Sequence, residues 1–391
     1  MWKSIASNAL TGIILILVVV AGLLAWGREA YVGPGPLTDT ACVRVERGAS
    51  LSAVSRTLES DGVIRDARIF RIAADYSDRA DDLKFGSYLV PPGASMAQVL
   101  DVLTAGGQST CGKEINFRIG VTASDVILRE LDPATQRYVE VAKFDAGTAP
   151  PPEYLAATEG DDIRYRVTVA EGATSFMIVE GLKAAEFLQG SIAAVPPEGT
   201  LAPDSYEVAR GADRAALLVQ MSEAQARILA EAWAGRVSGL PYTSPEEALV
   251  MASIIEKETG VPTERRQVAS VFVNRLRQGM KLQTDPTVIY GITRGEAPLG
   301  RGLRQSELRR ETPWNTYVID GLPPSPIANP GRASIEAALD PDSTEYLFFV
   351  ADGSGGHAFA RTLDEHNENV ARWREIEAQQ GQDGVTGVQG E

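Results

Sequence analysis

The chain opens on its longest apolar stretch. Ala9 to Trp26 is a run of 18 residues whose only side-chain hydroxyl is Thr11; as a helix rising about 1.5 Å per residue it reaches across most of a bilayer core. A cleaved signal peptide is the alternative, but Ala21 to Gly27 offers no convincing small-x-small site. Lys3 precedes the run while Arg28 is offset by Glu29, so a weak positive-inside bias predicts a single-pass anchor with the amino terminus in the cytoplasm. Gly33 to Thr40, with Pro34 and Pro36, reads as an extended spacer. The pattern then shortens. Val43-Arg-Val predicts a strand, Leu51, Val54 and Leu58 a helix, Phe70, Ile72 and Ala73 a second, Leu83 to Val90 a strand, and Met96, Val99, Leu100 and Leu103 a third helix. Asn116 to Ile119, Tyr138 to Val141 and Ile163 to Val169 alternate as antiparallel strands do. Beyond Ala170-Glu-Gly, a mixed region begins with Phe176, Ile178, Val179 and Leu182, passes a turn at Pro203-Asp-Ser-Tyr, and runs through a helix from about Arg214 to Arg236.

The stretch from Ser244 to Gly260 organises the rest of the chain. Ser244 with Glu247 three residues on, Pro245 at the first helical position and Gly260 past the end specify both termini of a helix. Its body, Ala248 to Ile255, is almost wholly apolar, which places it inside a domain. Two carboxylates come next, and helical spacing separates them: Glu258 continues the face of Met251, Ile254 and Ile255, whereas Glu256 continues the smaller, more polar face of Leu249, Ala252 and Ser253. A carboxyl on the apolar stripe loses the most hydration, so its pKa rises and it can hold a proton near neutral pH, as a general acid must. A solvated Glu258, or one paired with Lys257 or Arg265, is the plainer alternative.

Thr263 is expected to cap the next helix, with Val268, Val271, Phe272 and Leu276 buried and Gly279 at its end. Asp285 before Pro286 is expected to cap a short helix ending at Gly291, which leaves Gln283 and Thr284 without an obvious structural duty. Glu311-Thr-Pro-Trp-Asn-Thr-Tyr and Gly321-Leu-Pro-Pro-Ser-Pro-Ile-Ala-Asn put aromatic, amide and hydroxyl groups into stiff loops of the kind that bind sugars. Tyr346 to Val350, then Asp352-Gly-Ser-Gly-Gly and His357-Ala-Phe, predict a hairpin. A last helix boxed by Thr362 and Glu365 is expected to end near Glu377, with 379–391 a disordered tail.

Composition narrows the chemistry. At 391 residues and 44% hydrophobic content the chain can build two or three domains, and a net charge of -15 argues against nucleic acid as a partner. Val261 to Arg310 nevertheless carries ten Lys plus Arg against four Asp plus Glu, a net +6 that suits an anionic polymer as well as a solvated helix face. The only two cysteines, Cys42 and Cys111, bracket the first small α+β segment; in an oxidising compartment a bridge would clamp its ends, and two free buried thiols are the alternative. The two histidines, His357 and His366, lie on separate elements, and no zinc spacing, G-x-S-x-G elbow or phosphate loop occurs, so no metal or cofactor is expected.

Two resemblances rest on these residues. The strand–helix–helix–strand segment between the cysteines is similar to the LysM-like modules of cell-wall proteins. Met251-Ala-Ser-Ile-Ile-Glu-Lys-Glu-Thr, Val268-Ala-Ser-Val-Phe-Val-Asn-Arg-Leu, Leu282-Gln-Thr-Asp-Pro-Thr-Val-Ile-Tyr-Gly, Asn315-Thr-Tyr, Gly321-Leu-Pro-Pro, and Tyr346-Leu-Phe-Phe-Val-Ala-Asp-Gly with Gly356-His resemble the MltG (YceG-like) endolytic murein transglycosylases over roughly Ala170 to Trp373. The resemblance implies cleavage of the MurNAc–GlcNAc bond within nascent peptidoglycan strands to give anhydro ends, as a terminase of elongation, with peptidoglycan synthases as partners. It puts the catalytic glutamate, the second of Glu-Lys-Glu-Thr, on Glu258. Gln283, Thr284, Asp285, Tyr290, Asn315, Tyr317 and His357 are then expected to bind the strand. The fold expected is multidomain α+β: a cytoplasmic stub and anchor (1–30), a linker (31–41), a LysM-like module (42–108), a strand-rich insert (109–169) that departs from the family pattern, a mixed α/β catalytic domain (170–378) and the tail. A muramidase using water, or a non-enzymatic peptidoglycan-binding scaffold, are the competing functions.

Overall fold

The structure, a computed structural model, describes residues 2–105, 109–159 and 162–386, with side chains from 10 to 379 in that range. The chain forms two compact units, Met1–Asn116 with Ile127–Phe144 and Thr148–Tyr165, and Phe117–Val126 with Asp145–Gly147 and Arg166–Glu391. Segment 109–169, expected as one insert, thus contributes to both.

In the first unit, α1 (Trp2–Val32) extends past the apolar run at both ends. Its portion Leu10–Val32 has a mean hydropathy of 2.5 and is long enough to cross a membrane. The apolar side chains face outward, Leu24 being 69% exposed. The spacer carries no helix or strand over 33–40 and is docked on the first unit. Tyr31 and Leu37 pack on the first core, and the Gly35 and Gly93 amides donate to the Gly93 and Leu37 carbonyls at 3.0 and 2.9 Å. Gly35 permits this approach, since a Cβ there would meet the Ala94 carbonyl. β1 (Ala41–Val45), α2 (Leu51–Ser60), α3 (Ala67–Tyr76), β2 (Gly86–Val90) and α4 (Met96–Thr104) come in the order that the periodicity predicts. β1 and β2 pair antiparallel with Val43 opposite Tyr88. Ser50 and Asp66 cap α2 and α3, and Ser95 with Gln98 forms a complete capping box on α4. Phe70, Leu58, Val99, Leu100 and Leu103 fill the core between them. Cys42 and Cys111 are joined by a disulfide with Cα atoms 6.0 Å apart.

β3 (Lys113–Ile119), β4 (Ser124–Asp132) and β5 (Arg137–Asp145) precede α5 (Pro152–Thr158), β6 (Ile163–Val169), α6 (Ser175–Ala184) and β7 (Ser205–Val208). The five strands form one sheet in the order β5-β4-β3-β6-β7. β4 is not evident in the sequence because Val126-Ile-Leu-Arg-Glu-Leu does not alternate cleanly, and β7 begins where only a turn was expected.

The second unit continues with α7 (Arg214–Ala234), α8 (Pro245–Glu258), α9 (Arg265–Arg277), α10 (Asp285–Thr293), α11 (Gln305–Leu308), α12 (Arg332–Leu339), the hairpin β8 (Phe348–Ala351) and β9 (His357–Ala360), and α13 (Leu363–Thr386). α8 is the hub, touching α7, α9, α10 and α12. Every residue from Ala248 to Ile255 is buried, and the larger apolar side chains among them contribute about 1.5–3 kcal/mol each. Ser244 accepts from the Glu247 amide at 3.2 Å, as an N-cap should.

Two expected caps are corrected. Thr263 lies in a 3-10 turn, Pro262–Glu264, and α9 begins at Arg265 without a side-chain cap. Asp285 is the first residue of α10 rather than its cap; the cap position is Thr284, whose hydroxyl is committed elsewhere. The last helix runs on to Thr386 instead of stopping near Glu377, since Gln379, Gln380 and Gln382 favour helix and Gly381 and Gly384 cost only about 1 kcal/mol each. The remaining tail, 387–391, lies outside the described residues.

Reducing the disulfide, or replacing Cys42 and Cys111 by Ser, is expected to lower the stability of the first unit by about 2–4 kcal/mol through loss of loop closure. Urea unfolding with and without reductant measures this, and coincident curves would show that the bridge does not stabilise the unit.

Candidate active site

Glu258 is the last helical residue of α8, where the chain leaves the core through Thr259 in an extended conformation. Its side chain is partly exposed while its carboxyl is closely surrounded by protein. Burial is the largest influence on it and pushes its pKa up. The Thr284 hydroxyl, which donates a hydrogen bond to Oε1, pulls the pKa back, as do the charges of His357 and Arg275, while Asp285 reinforces the rise. The net direction is upward.

Thr284 is held by a set of hydroxyls. Its amide donates to Thr316 Oγ1 at 3.0 Å, and its carbonyl accepts from Thr287 Oγ1 at 2.7 Å. With that proton committed, the 2.8 Å contact between Thr287 and Thr316 has Thr316 as donor. All three threonines are buried. Gln283, immediately before, is exposed and adopts a φ of 50°, while its amide donates to the Thr316 carbonyl at 3.1 Å. A non-glycine residue in the left-handed region costs about 1 kcal/mol or more and persists where its surroundings impose it.

Asp285 is exposed and accepts from the Tyr317 hydroxyl at 2.7 Å. Burial and that bond raise the Tyr317 pKa, so its phenol stays protonated. Arg275 is buried, donating to the Leu347 and Leu282 carbonyls at 2.7 and 2.5 Å. Burial disfavours its charge and Glu258 favours it. The His357 ring contacts Glu264 through Nδ1 at 2.8 Å, and its amide donates to the same carboxylate at 3.0 Å.

The residues expected to bind a ligand therefore divide. Glu258, Thr284, Asp285 and Tyr317 are gathered around one carboxyl. Asn315 is not available: it is fully buried, its amide donating to the carbonyls of Glu307, Leu308 and Arg310 and its Oδ1 accepting from the Tyr317 amide, so it shapes the loop that presents Tyr317. Thr284 likewise has its hydroxyl proton turned to Glu258 rather than outward. Tyr290 donates to Glu198 at 3.3 Å and lines a separate cavity beside α10. Glu256 faces away and accepts from the Gly331 amide at 2.9 Å, which puts its charge at the start of α12.

Sequence reasoning missed Arg275 and Glu198. Arg275 was legible, since it continues the stripe of Val268, Val271 and Phe272, where a charge needs a reason. Glu198 carried no signal. It sits in a Pro-Pro-Glu-Gly loop, accepts from the Ser175 amide at 2.8 Å and Asn329 at 3.1 Å, and has its pKa raised by burial.

A family model described as the YceG-like family matches residues 43–372. An endolytic murein transglycosylase of Bacillus subtilis (strain 168) is 28% identical over 331 residues, covering 84% of this chain and 83% of the relative. An endolytic murein transglycosylase of Streptococcus pneumoniae serotype 2 is 25% identical over 338 residues and covers 84% of this chain. The match spans 57% of that streptococcal protein, little more than half of its length. A crystal structure of a putative yceG-like protein from Listeria monocytogenes has 25% sequence identity, covers 84% of this chain and 98% of its own, and gives a TM-score of 0.45.

The raised pKa of Glu258 has a consequence for stability. The folded chain holds this proton more tightly than the unfolded chain does, so ionisation removes stability as pH rises through the folded-state value. Glu258→Gln, which keeps an acceptor for Thr284, is expected to melt higher than wild type at pH 8, with a smaller gain near pH 4. Equal melting temperatures at pH 8 would contradict the burial account.

Proposed function

The chain belongs to the YceG-like family, and from that premise we propose that it is a lytic transglycosylase that cuts peptidoglycan glycan strands internally, with Glu258 as its one acid and base. The observation that carries the proposal is the Glu258 carboxyl itself, set at the end of a buried helix, raised in pKa by burial and oriented by Thr284. In the first step Glu258 gives its proton to the oxygen leaving the MurNAc anomeric carbon, and the C1–O bond breaks. The carboxylate so formed then takes the proton of the muramyl C6 hydroxyl as that oxygen bonds to C1, which closes a 1,6-anhydro ring and restores the acid. Water is neither needed nor consumed.

Arg275 and the Tyr317–Asp285 pair contribute the field and walls of the site. Gln283 and Tyr317 face the strand, His357 stands at its side on the hairpin, and Thr284 is a positioning residue. Asp285 gives the muramidase reading its one support, because a second carboxylate beside the acid could activate a water. Its engagement by the Tyr317 hydroxyl favours a binding role.

The rest of the chain delivers this site to its substrate. α1 anchors the protein in the inner membrane with the amino terminus cytoplasmic, so the region from 42 onward lies outside the cytoplasm, where the disulfide is stable. The β1-α2-α3-β2 order with an antiparallel β1–β2 pair supports a LysM-like module over 42–108. A groove of about 520 Å³ lies between the turn after β1 and the segment before β2, lined by Ser50, Ser52, Arg71, Asp75 and Asp81, groups suited to sugar hydroxyls. The transglycosylase domain spans 170–378. Cutting nascent strands at the membrane would end their elongation, which makes peptidoglycan synthases the natural partners.

Mass spectrometry of uncrosslinked glycan strands incubated with the protein tests the reaction. Anhydromuramyl ends are expected from wild type, with Glu258→Gln slower by at least about a thousandfold. Reducing ends would make it a hydrolase, and no cleavage would leave a binding scaffold. A second expectation concerns Thr284→Val. The lost hydrogen bond had lowered the Glu258 pKa, so the alkaline limb of kcat/KM should move to higher pH while turnover falls roughly ten- to a hundredfold. An unmoved limb would show that Thr284 does not act on Glu258.

A further inference from the structure

Beside the Glu258 site, within the same unit, lies a cavity of about 300 Å³. One helical face of α10, Pro286, Ile289, Tyr290 and Thr293 at i, i+3, i+4 and i+7, forms a wall of it, and Met177, Pro298, Leu299 and Ile327 complete an apolar lining. The cavity borders the site on two of its walls, since Lys257 precedes Glu258 and Pro286 comes directly after Asp285.

Its polar groups are mostly engaged. The Thr174 hydroxyl donates to the Gly295 carbonyl at 2.6 Å and the Tyr290 hydroxyl to Glu198. Lys257 differs. Its stem lies along Gly172, its Nζ makes one long contact of 3.3 Å to the Gly172 carbonyl, and no carboxylate stands within ion-pairing distance of it among the described residues. The two nearby carboxylates are taken, Glu256 by the Gly331 amide and Glu198 by Ser175, Asn329 and Tyr290. A cavity with apolar walls and one available cation does not suit a sugar ring, whose hydroxyls need many partners. It suits a short chain of small apolar side chains carrying a carboxylate.

Resting on the transglycosylase reading above, we propose that this cavity is the subsite for the stem peptide borne by the muramyl residue, with Lys257 pairing with a peptide carboxylate and Pro286, Ile289 and Leu299 packing on its aliphatic side chains. A peptide seated there would fix the strand beside Glu258, so the site would prefer peptide-bearing strands to strands stripped to the muramyl lactate, which retain a carboxylate but lack the peptide.

Two measurements test this, using Lys257→Met, which keeps the side-chain stem. The first compares kcat/KM on peptide-bearing and denuded strands. Wild type is expected to favour the peptide-bearing strands, and the variant to lose about fivefold of that preference. An equal loss on both substrates overturns the proposal, because the lactate or the site itself is then what Lys257 serves. The second is calorimetric binding of a disaccharide pentapeptide, and of the same disaccharide without peptide, to the Glu258→Gln protein with and without Lys257→Met. Weaker binding confined to the peptide-bearing ligand supports the subsite even if no cleavage is ever seen, in which case only the catalytic reading falls. Binding of both ligands unaffected by Lys257→Met overturns the subsite. Ala297→Trp, which puts a bulky ring into the lining while leaving Lys257 unchanged, is expected to lower the same preference; an intact preference in this variant also overturns the proposal.

Discussion

The bond from the Thr284 hydroxyl to the Glu258 carboxyl joins two parts of the chain that are each fixed by burial. On one side stands α8, whose buried apolar body, Ala248 to Ile255, leads directly into the turn that carries Glu258. On the other stand three buried threonines, in which the Thr284 amide, the Thr316 hydroxyl, the Thr287 hydroxyl and the Thr284 carbonyl form one closed run of hydrogen bonds. The carboxyl between them is oriented by the Thr284 hydroxyl. Its proton affinity is then set by a contest in which burial outweighs the Thr284 hydrogen bond and the influence of Arg275 and His357. The same arrangement that raises its pKa destabilises the ionised form, so function and stability oppose each other at this residue.

How much of this was legible depended on whether a residue's duty is local. α8 was readable from end to end, because caps and periodicity are local signals and its apolar body can only be interior. The choice of Glu258 over Glu256 also came from helical spacing, and the fate of Glu256, pinned to the start of α12, agrees with the more polar face on which it lies. What spacing could not give was partnership across the chain. Thr284 reads as a strand-binding residue because nothing in Leu282-Gln-Thr-Asp-Pro shows that its hydroxyl meets a carboxyl 26 residues earlier. Asn315 resembled a sugar ligand, yet it satisfies the carbonyls of the loop behind it. Asp285 before Pro286 read as a cap, and the helix instead starts one residue sooner. β4 lacked alternation, and Glu198 lay in a loop whose neighbours come from Ser175 and Asn329.

A single carboxyl that acts first as acid and then as base needs its two roles to be close in free energy. Burial and Asp285 favour the protonated form of Glu258, which in the proposed reaction would expel the leaving sugar, whereas Thr284, Arg275 and His357 favour the carboxylate, which would accept the C6 proton. The two sets of influences oppose each other on one carboxyl, and the proposed reaction returns that carboxyl to its acid form without any other proton donor. Of the ten cations in Val261 to Arg310, Arg275 is buried and its charge acts on Glu258, whereas Arg266, Lys281 and Arg301 pair with carboxylates of their own.

The most direct test of the one-carboxyl account is cleavage of glycan strands in water enriched in oxygen-18. The account predicts that no label enters the new muramyl ends, because the C6 oxygen of the sugar itself closes on C1. Label at C1 of those ends would mean that water attacks the anomeric carbon and that a second group, with Asp285 the nearest carboxylate in the field of Glu258, shares the work.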